Sequence, residues 1–160
     1  MYARNGISMV RAIDHVTIVV SDLDRSVDFY TRVLDFKKTG SAHLEGKWIE
    51  SVVGLKGVKA EVAYLELNKD NPRLELLCFQ SPKSKAVPAN SIASTIGMRH
   101  LAFRVKDIGE MKKRLEEAGA KVVGDPAAVP LDVDSGDSRR KVLFYFLDPD
   151  GVLLELAQFT

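Results

Sequence analysis

Two histidines and two glutamates recur at matching places in the two halves of this 160-residue chain. His15 and His100 each open an apolar stretch that ends in an aspartate and an aliphatic residue, DHVTIVVSDL and RHLAFRVKDI. Glu75 and Glu155 follow at a nearly equal distance from these histidines, in RLELLCF and LLELAQF. Two imidazoles and two carboxylates are ligands that suit Zn²⁺, Ni²⁺, Co²⁺, Mn²⁺ or Fe²⁺. The repeat therefore predicts a divalent metal site built from a duplicated unit.

Strand alternation predicts that these four side chains lie on the strand faces opposite the main apolar layer, because residues two apart share a face. Glu75 and Glu155 each stand between leucines, where an isolated carboxylate would be costly unless a cation compensated it. Any one of these histidines could be a hydrogen-bonded structural residue, but the matched pairs favour metal binding. The third histidine, His43, stands beside turn residues in SAHLEGK and is interpreted as a surface or loop residue.

Each half is predicted to form a strand, a helix and further strands. The helices are LDRSVDFYTRVLD and DIGEMKKRLEEAGA, in which apolar residues recur at helical spacing. The later strands are WIESVV, AEVAYLEL and RLELLCF in the first half and KVVG, KVLFYFLD and VLLELAQF in the second. We predict one α+β domain over residues 1–160, with modules at about 11–80 and 97–160 joined by a linker at 81–96. Residues 125–140 are predicted to form a long irregular connection.

Composition excludes several classes of function. The chain is 46% hydrophobic and can bury a core, and its formal charge of +1 comes from well-mixed signs without a long basic run. Neither nucleic acid nor a membrane is therefore an expected partner. The N-terminus lacks the apolar core of a signal peptide, and the single cysteine excludes an intrachain disulfide. These features predict a soluble cytoplasmic protein.

Two segments resemble a known family. DHVTIVVSDLDRSVDFYTRVLDFK resembles the opening, and DPDGVLLELAQF the close, of glyoxalase-type members of the vicinal oxygen chelate superfamily. The resemblance covers about residues 11–159. It implies two tandem βαβββ modules that form a curved mixed sheet around a metal site, with helices on the outer face, and a homodimer. Carried over residue by residue, it implies the metal ligands His15, Glu75, His100 and Glu155.

The same resemblance implies an enzyme, a metal-dependent lyase or isomerase. A first-half glutamate ligand, Glu75, is similar to the ligand set of bacterial glyoxalase I, or lactoylglutathione lyase, for which glutathione would be a co-substrate. The implied reaction abstracts a proton through a metal-bound enediolate. Glu155 is then the first choice for the catalytic base and Glu75 for the second catalytic carboxylate, although pseudosymmetry leaves the two nearly equivalent.

Besides a different metal-dependent activity, such as that of a dioxygenase or a transferase, two alternatives stay open. Methylmalonyl-CoA epimerases resemble this chain too, but they usually carry Gln where Glu75 stands and a catalytic glutamate where Ala60 stands. Here Glu61 follows one position later, which turns it to the other strand face unless a bulge intervenes. The other alternative is a non-catalytic protein that binds a small molecule, such as an antibiotic, although such proteins commonly lose the metal residues.

Further residues could shape the substrate pocket. The candidate anion anchors are Arg73, Arg104 and the run Arg139, Arg140 and Lys141, although for any one of them a solvated surface residue is the favoured interpretation. The candidate apolar lining residues are Trp48, Tyr64 and Phe144, for which core packing is the alternative.

Overall fold

The computed structural model describes residues 10–87, 90–130, 133 and 139–160. The elements of the first half are β1 (His15–Val19), α1 (Leu23–Arg32), β2 (Lys37–Glu45), α2 (Lys47–Val53), β3 (Lys59–Glu66) and β4 (Arg73–Ser81). Those of the second half are β5 (Leu101–Arg104), α3 (Ile108–Glu117), β6 (Val122–Ala128), β7 (Lys141–Leu147) and β8 (Leu153–Phe159). Residues 88 and 89 of the predicted linker lie outside the described residues, as do residues 131, 132 and 134–138 of the predicted long connection.

The strands form two four-stranded mixed sheets with the same topology. The first sheet has the order β1-β4-β3-β2 and the second has the order β5-β8-β7-β6. In each sheet the first strand runs parallel to the last strand of its half, and the other pairs are antiparallel. α1 packs against its own sheet and α3 against the second. The predicted fold class, α+β with helices outside a curved mixed sheet, is confirmed; the predicted module boundaries stay a prediction.

Both long helices begin at the aspartate of the repeated motif. The carboxylate of Asp22 accepts a hydrogen bond from the backbone N–H of Arg25 at 3.0 Å, and that of Asp107 accepts one from Glu110 at 2.9 Å. Each aspartate thereby satisfies a backbone donor that the first helical turn leaves unpaired. The repeated aspartates are thus helix caps, which explains their place in the motif without any chemical role.

One apolar core joins the two halves. It includes Leu74 and Leu76 of β4, Leu154 and Leu156 of β8, and Tyr30 of α1 among its buried members. These strand residues alternate with Glu75 and Glu155, so the His–Glu face of each sheet is directed away from the shared core. The core therefore fixes the direction in which the candidate ligands point.

Polar contacts also connect the halves beside this core. The Tyr30 hydroxyl donates to Asp148 at 3.0 Å, where both residues are buried. The Arg114 guanidinium of α3 lies 2.9 Å from both carboxylate oxygens of Asp35, which follows α1. These contacts join the helix side of each module to the other module. The opposite face of each sheet, which carries the His–Glu pair, takes no part in them.

The predicted strand WIESVV is wrong. These residues form α2, which begins after Gly46 and ends at Gly54, whose φ of 69° allows the left-handed C-cap. Trp48 and Val52 are both exposed on this helix, so these side chains do not pack against a neighbouring strand as a sheet would require. The β-branched composition therefore did not decide the structure of this segment. Part of the predicted irregular connection is also a strand, since β6 extends to Ala128.

The additional strand of the first sheet is β2, where no strand was predicted. Its sequence KKTGSAHLE has few β-branched residues, and pairing with β3 along its length supplies the backbone hydrogen bonds instead. His43 lies in this strand with a half-exposed side chain, 3.5 Å from Glu45. Its predicted surface position is correct, but its predicted loop position is wrong.

No helix within the described part of the chain combines the length and the apolar character needed to cross a bilayer.

Candidate metal centre

The first half brings His15 and Glu75 together on one face of its sheet. Parallel pairing sets β1 beside β4 with Thr17 opposite Glu75. The Nε2 atom of His15 lies 3.6 Å from Glu75 Oε2, and the Thr17 hydroxyl donates to the same oxygen at 3.3 Å. Neighbouring strands thus hold one imidazole and one carboxylate close enough to share a ligand.

Asp14 orients the His15 ring. Nδ1 of His15 lies 2.7 Å from Asp14 Oδ2, and a carboxylate acceptor there places the ring proton on Nδ1. The hydrogen bonds from His15 and from Arg73 lower the pKa of the Asp14 carboxyl. The Nε2 lone pair therefore points toward Glu75, which is the arrangement that carboxylate-oriented histidine ligands use in metal sites.

The second half repeats the pair in a different setting. His100 Nε2 lies 3.3 Å from Glu155 Oε2, and Lys141 Nζ lies 2.9 Å from Glu155 Oε1. The Tyr145 ring packs against the His100 ring with 5.1 Å between centroids, and Tyr145 stands opposite Glu155 in the β7–β8 register. Burial, followed by the nearby Glu155 carboxylate, raises the pKa of Tyr145. Glu155 is almost fully buried, and Lys141 offsets part of the cost of burying its charge.

Sequence reasoning missed Tyr145, although a signal was available. Tyr64 stands opposite Glu75 in β3 as Tyr145 stands opposite Glu155 in β7, so a tyrosine flanks the carboxylate in each half. The two tyrosines are separated in sequence by nearly the same interval as the two glutamates, so they belong to the same repeat. Phe144, in contrast, lies in the core, and Trp48 is exposed on α2. Of the predicted lining residues, only Tyr64 therefore lies beside a candidate ligand.

The four candidate ligands meet in two pairs and not as a set of four. Within residues 10–87, 90–130, 133 and 139–160, no group of three or more His, Cys, Asp or Glu side chains is positioned to hold a metal ion. Both pairs lie on faces directed away from the shared core, and their histidines are partly open, with 42% of the His15 side chain and 35% of the His100 side chain exposed. Each sheet thus presents two potential donors, one nitrogen and one oxygen, whereas a tetrahedral divalent-metal site uses four.

The comparison with known families identifies the group to which the chain is related. Residues 12–156 match the model of the Glyoxalase/Bleomycin resistance protein/Dioxygenase superfamily. The chain belongs to this superfamily. The match spans both His–Glu pairs, and it confirms the relationship that the two sequence segments indicated.

Several members of the superfamily are similar to the chain over most of its length. A 2-epi-5-epi-valiolone epimerase from an Actinomyces species is 31% identical over 156 residues, covering 94% of this chain and 81% of that protein. A metallothiol transferase from Staphylococcus saprophyticus is 27% identical, covering 95% and 80%. A glyoxalase family protein from Bacillus cereus has a similar structure, with a TM-score of 0.80, 28% identity and 99% of each chain covered. The superfamily therefore includes enzymes of more than one kind among the relatives of this chain.

The register of β3 settles the orientation of Glu61. Tyr64 pairs with Glu75 and Val62 with Leu77, whereas Glu61 pairs with Cys78. The bulge in this pair lies between Lys59 and Ala60, before Glu61, and does not return it to the site face. Glu61 therefore lies on the sheet face opposite Glu75 and cannot serve as a catalytic glutamate beside it.

Proposed function

We propose that this protein is a divalent-metal-dependent lyase or isomerase that moves a proton at a carbon next to a carbonyl. His15, Glu75, His100 and Glu155 would hold the metal. The observation that carries the proposal is the repeated His–Glu pair at equivalent positions of two sheets, with nitrogen and carboxylate oxygen within 3.6 Å of each other in both. Zn²⁺, Ni²⁺, Co²⁺, Mn²⁺ and Fe²⁺ all suit these donors. A metal bound there supplies Lewis-acid stabilisation of negative charge on oxygens next to the reacting carbon.

We further propose that two copies of the chain complete the site. Each half contributes two donors on a face directed away from the shared core. The two pairs of a single chain therefore do not come together among the described residues. A twofold homodimer that sets the first sheet of one copy against the second sheet of the other would bring four donors together twice. The partly exposed ligands and the exposed Val19 on the His15 face support this arrangement, since such a face is suited to be covered.

The surroundings of the two carboxylates support different roles for them. Glu155 is the more buried, with 5% of its side chain exposed against 17% for Glu75, so it acts where water is more fully excluded and electrostatic effects are stronger. We assign the base that accepts the substrate proton to Glu155. Glu75, held by the Thr17 hydroxyl, is the second carboxylate ligand.

Two substrate classes are consistent with this chemistry. The first is the glutathione adduct of methylglyoxal, the glyoxalase I substrate, which the four-residue ligand set favours. The second is a ketone that undergoes epimerisation, which the 31% identity to a 2-epi-5-epi-valiolone epimerase favours. Both reactions need a base beside a polarised carbonyl. Parallel assays of the metal-loaded protein with the methylglyoxal adduct and 2-epi-5-epi-valiolone distinguish these substrate classes, and methylmalonyl-CoA tests the remaining epimerase alternative.

A mixing experiment tests the metal site and its location together. His15→Ala breaks the first half-site and His100→Ala breaks the second, so each variant alone is expected to lose tight metal binding. If the sites form between two copies, co-refolding the variants in equal amounts restores roughly a quarter of the sites, because half of the dimers are mixed and each has one intact site. Metal bound per chain after dialysis, measured by elemental analysis, is the readout.

The controls separate the possible failures. Co-refolded wild-type protein sets the full metal content, and His43→Ala, outside both pairs, is expected to keep it. Restoration that is absent while both variants remain folded would place the site within one chain. Wild-type protein that holds no divalent metal, and gains no thermal stability when metal is added, would refute metal binding and leave a non-catalytic binding protein as the conclusion.

A further inference from the structure

The second sheet carries a group of positive charges beside its His–Glu pair. The Arg104 guanidinium lies 4.5 Å from the centroid of the Phe159 ring, that of Arg139 lies 4.9 Å from it, and Lys141 Nζ lies 5.8 Å from it. These contacts gather three cations around one aromatic ring at the end of β8. Each is a favourable cation–π contact, but the cations also repel one another.

Arg104 is the member of this group that is open to a ligand. Lys141 is already paired with Glu155 at 2.9 Å. Arg104, by contrast, is exposed and has no acidic partner among the residues that the structure describes. Its planar guanidinium, positioned by the ring of Phe159, presents paired N–H donors with the geometry that carboxylates and phosphates accept.

Arg104 lies on the same face as the candidate ligands. It stands opposite Ala157 in the β5–β8 register, two residues beyond Glu155 on the same strand face. Two residues along a strand span roughly 7 Å. A group held by Arg104 would therefore be separated by a few covalent bonds from oxygens held at the metal.

The first half carries no cation at the positions equivalent to Arg104 and Lys141, and its own cation beside the pair, Arg73, is paired with Asp14 at 3.2 Å. Val19 stands at the position of the first repeat that is equivalent to Arg104. Ala60 stands opposite Phe79 as Lys141 stands opposite Phe159. The fold thus forms the His–Glu pair without these cations, so their presence in the second half is not explained by folding.

We infer that Arg104, packed on Phe159, binds an anionic group of the substrate, a carboxylate or a phosphate, beside the metal centre. This inference rests on the proposed function, because the metal would hold the other end of the same molecule. Lys141 and Arg139 lie around the same ring and add to the positive potential that a bound anion would meet at Arg104. The substrate class is accordingly a compound with adjacent oxygens at one end and an acidic group a few bonds away.

Binding of three hydroxamates to the metal-loaded protein tests the inference without a known substrate. Acetohydroxamate can chelate a metal through adjacent oxygens and carries no further charge. The monohydroxamate of succinic acid adds a carboxylate, and phosphonoacetohydroxamate adds a phosphonate. At constant ionic strength, titration calorimetry is expected to show at least one charged probe binding roughly tenfold or more tighter than the neutral one. The preferred probe identifies the anionic group.

Variants assign the preference to Arg104. Arg104→Leu is expected to remove the advantage of the charged probe while leaving acetohydroxamate affinity unchanged, and Arg104→Lys to keep only part of it, because lysine lacks the planar pair of donors. Arg32→Leu removes a positive charge from the exposed surface of α1 and serves as the matched control. It is expected to keep the full preference.

The outcomes separate the two proposals. Equal affinity for all three probes, or a preference that survives Arg104→Leu, would overturn the anion subsite and leave the metal centre intact. Failure of metal loading, or of acetohydroxamate to bind the loaded protein, would overturn the proposed function and the subsite with it.

Discussion

The two halves of the molecule share a topology and a His–Glu pair but differ in the charges around that pair. In the first half, Asp14 neutralises Arg73 at 3.2 Å and orients His15. In the second half, Arg99 and Leu153 stand at the positions equivalent to Asp14 and Arg73. The duplicated unit therefore provides matching His–Glu pairs in both halves, whereas the charged residues around each pair differ.

This difference would allow a duplicated site to distinguish between the two orientations of a bound substrate. A site with identical halves would bind a substrate equally well in either orientation. Arg104 of the second half, a cation without an acidic partner among the described residues, would favour one orientation by electrostatic complementarity, whereas Arg73 of the first half is paired with Asp14. Substitutions at equivalent positions of the two halves test this difference.

The largest expected effect comes from neutralising the two glutamates. Glu155→Gln and Glu75→Gln each replace a charged ligand by a neutral one of the same shape, and each is expected to weaken divalent-metal affinity by at least about a hundredfold. The loss at Glu155 should be the larger, because that carboxylate is the more buried and its field is less screened. Chelator competition measures both affinities.

Glu61→Gln is the matched control, since Glu61 lies on the opposite face of the sheet from Glu75. Metal affinity that is unchanged in Glu75→Gln would show that the first half supplies no carboxylate ligand. The site would then be a three-residue one, and the symmetry between the halves would be broken at the metal.

A smaller effect, on stability, is expected at a pair of equivalent core leucines. Leu76 and Leu156 stand one position after the two glutamates, and both are fully buried in the shared core. Truncation of either to alanine should cost about 2–5 kcal/mol, from lost burial and the cavity that remains. In both variants, urea unfolding followed by circular dichroism and by Trp48 fluorescence should give one coincident transition.

The exposed Val52→Ala on α2 serves as the control, with an expected change within about 0.5 kcal/mol. Two separate transitions in the Leu76→Ala variant, with the second unshifted, would contradict a core shared by the halves.

The smallest effect on stability is expected at a hydrogen bond that has no equivalent in the other repeat. The Tyr30 hydroxyl donates to the buried Asp148, while the equivalent position of the second repeat is Leu115, which cannot do so. Tyr30→Phe should cost about 1–3 kcal/mol near neutral pH, where Asp148 is charged and its hydrogen bonds are strongest.

The same contact predicts a pH dependence. Burial, the largest influence, raises the pKa of Asp148 above its ordinary value of 3.8. The folded protein therefore binds this proton more tightly than the unfolded chain, and the Asp148 contribution to stability improves as the pH falls from the raised pKa toward 3.8. Urea unfolding at several pH values should show a smaller penalty of Tyr30→Phe at low pH, and an equal penalty throughout would contradict this assignment.

Much of the fold could be predicted because its signals are local. The aspartate caps, the helical spacing and the β-branched strands are each visible within a short segment, and these signals occur in both halves of the chain. The secondary-structure predictions were wrong where the local sequence signals were weak or misleading. WIESVV contains β-branched residues that favour a strand, but it forms a helix that two glycines delimit. β2 has few β-branched residues, but it forms a strand because it pairs with β3.

The sequence by itself determined the candidate ligands and their faces, because strand periodicity and a repeat need no knowledge of distant contacts. His15 with Glu75, and His100 with Glu155, follow from that reasoning. Only the tertiary structure decided how the pairs are arranged. Both sheets bury their apolar faces in a single core, so the two pairs are directed away from it. The contacts of Tyr145, Lys141 and Arg104 depend on strand register, and register depends on long-range pairing that a linear pattern does not encode.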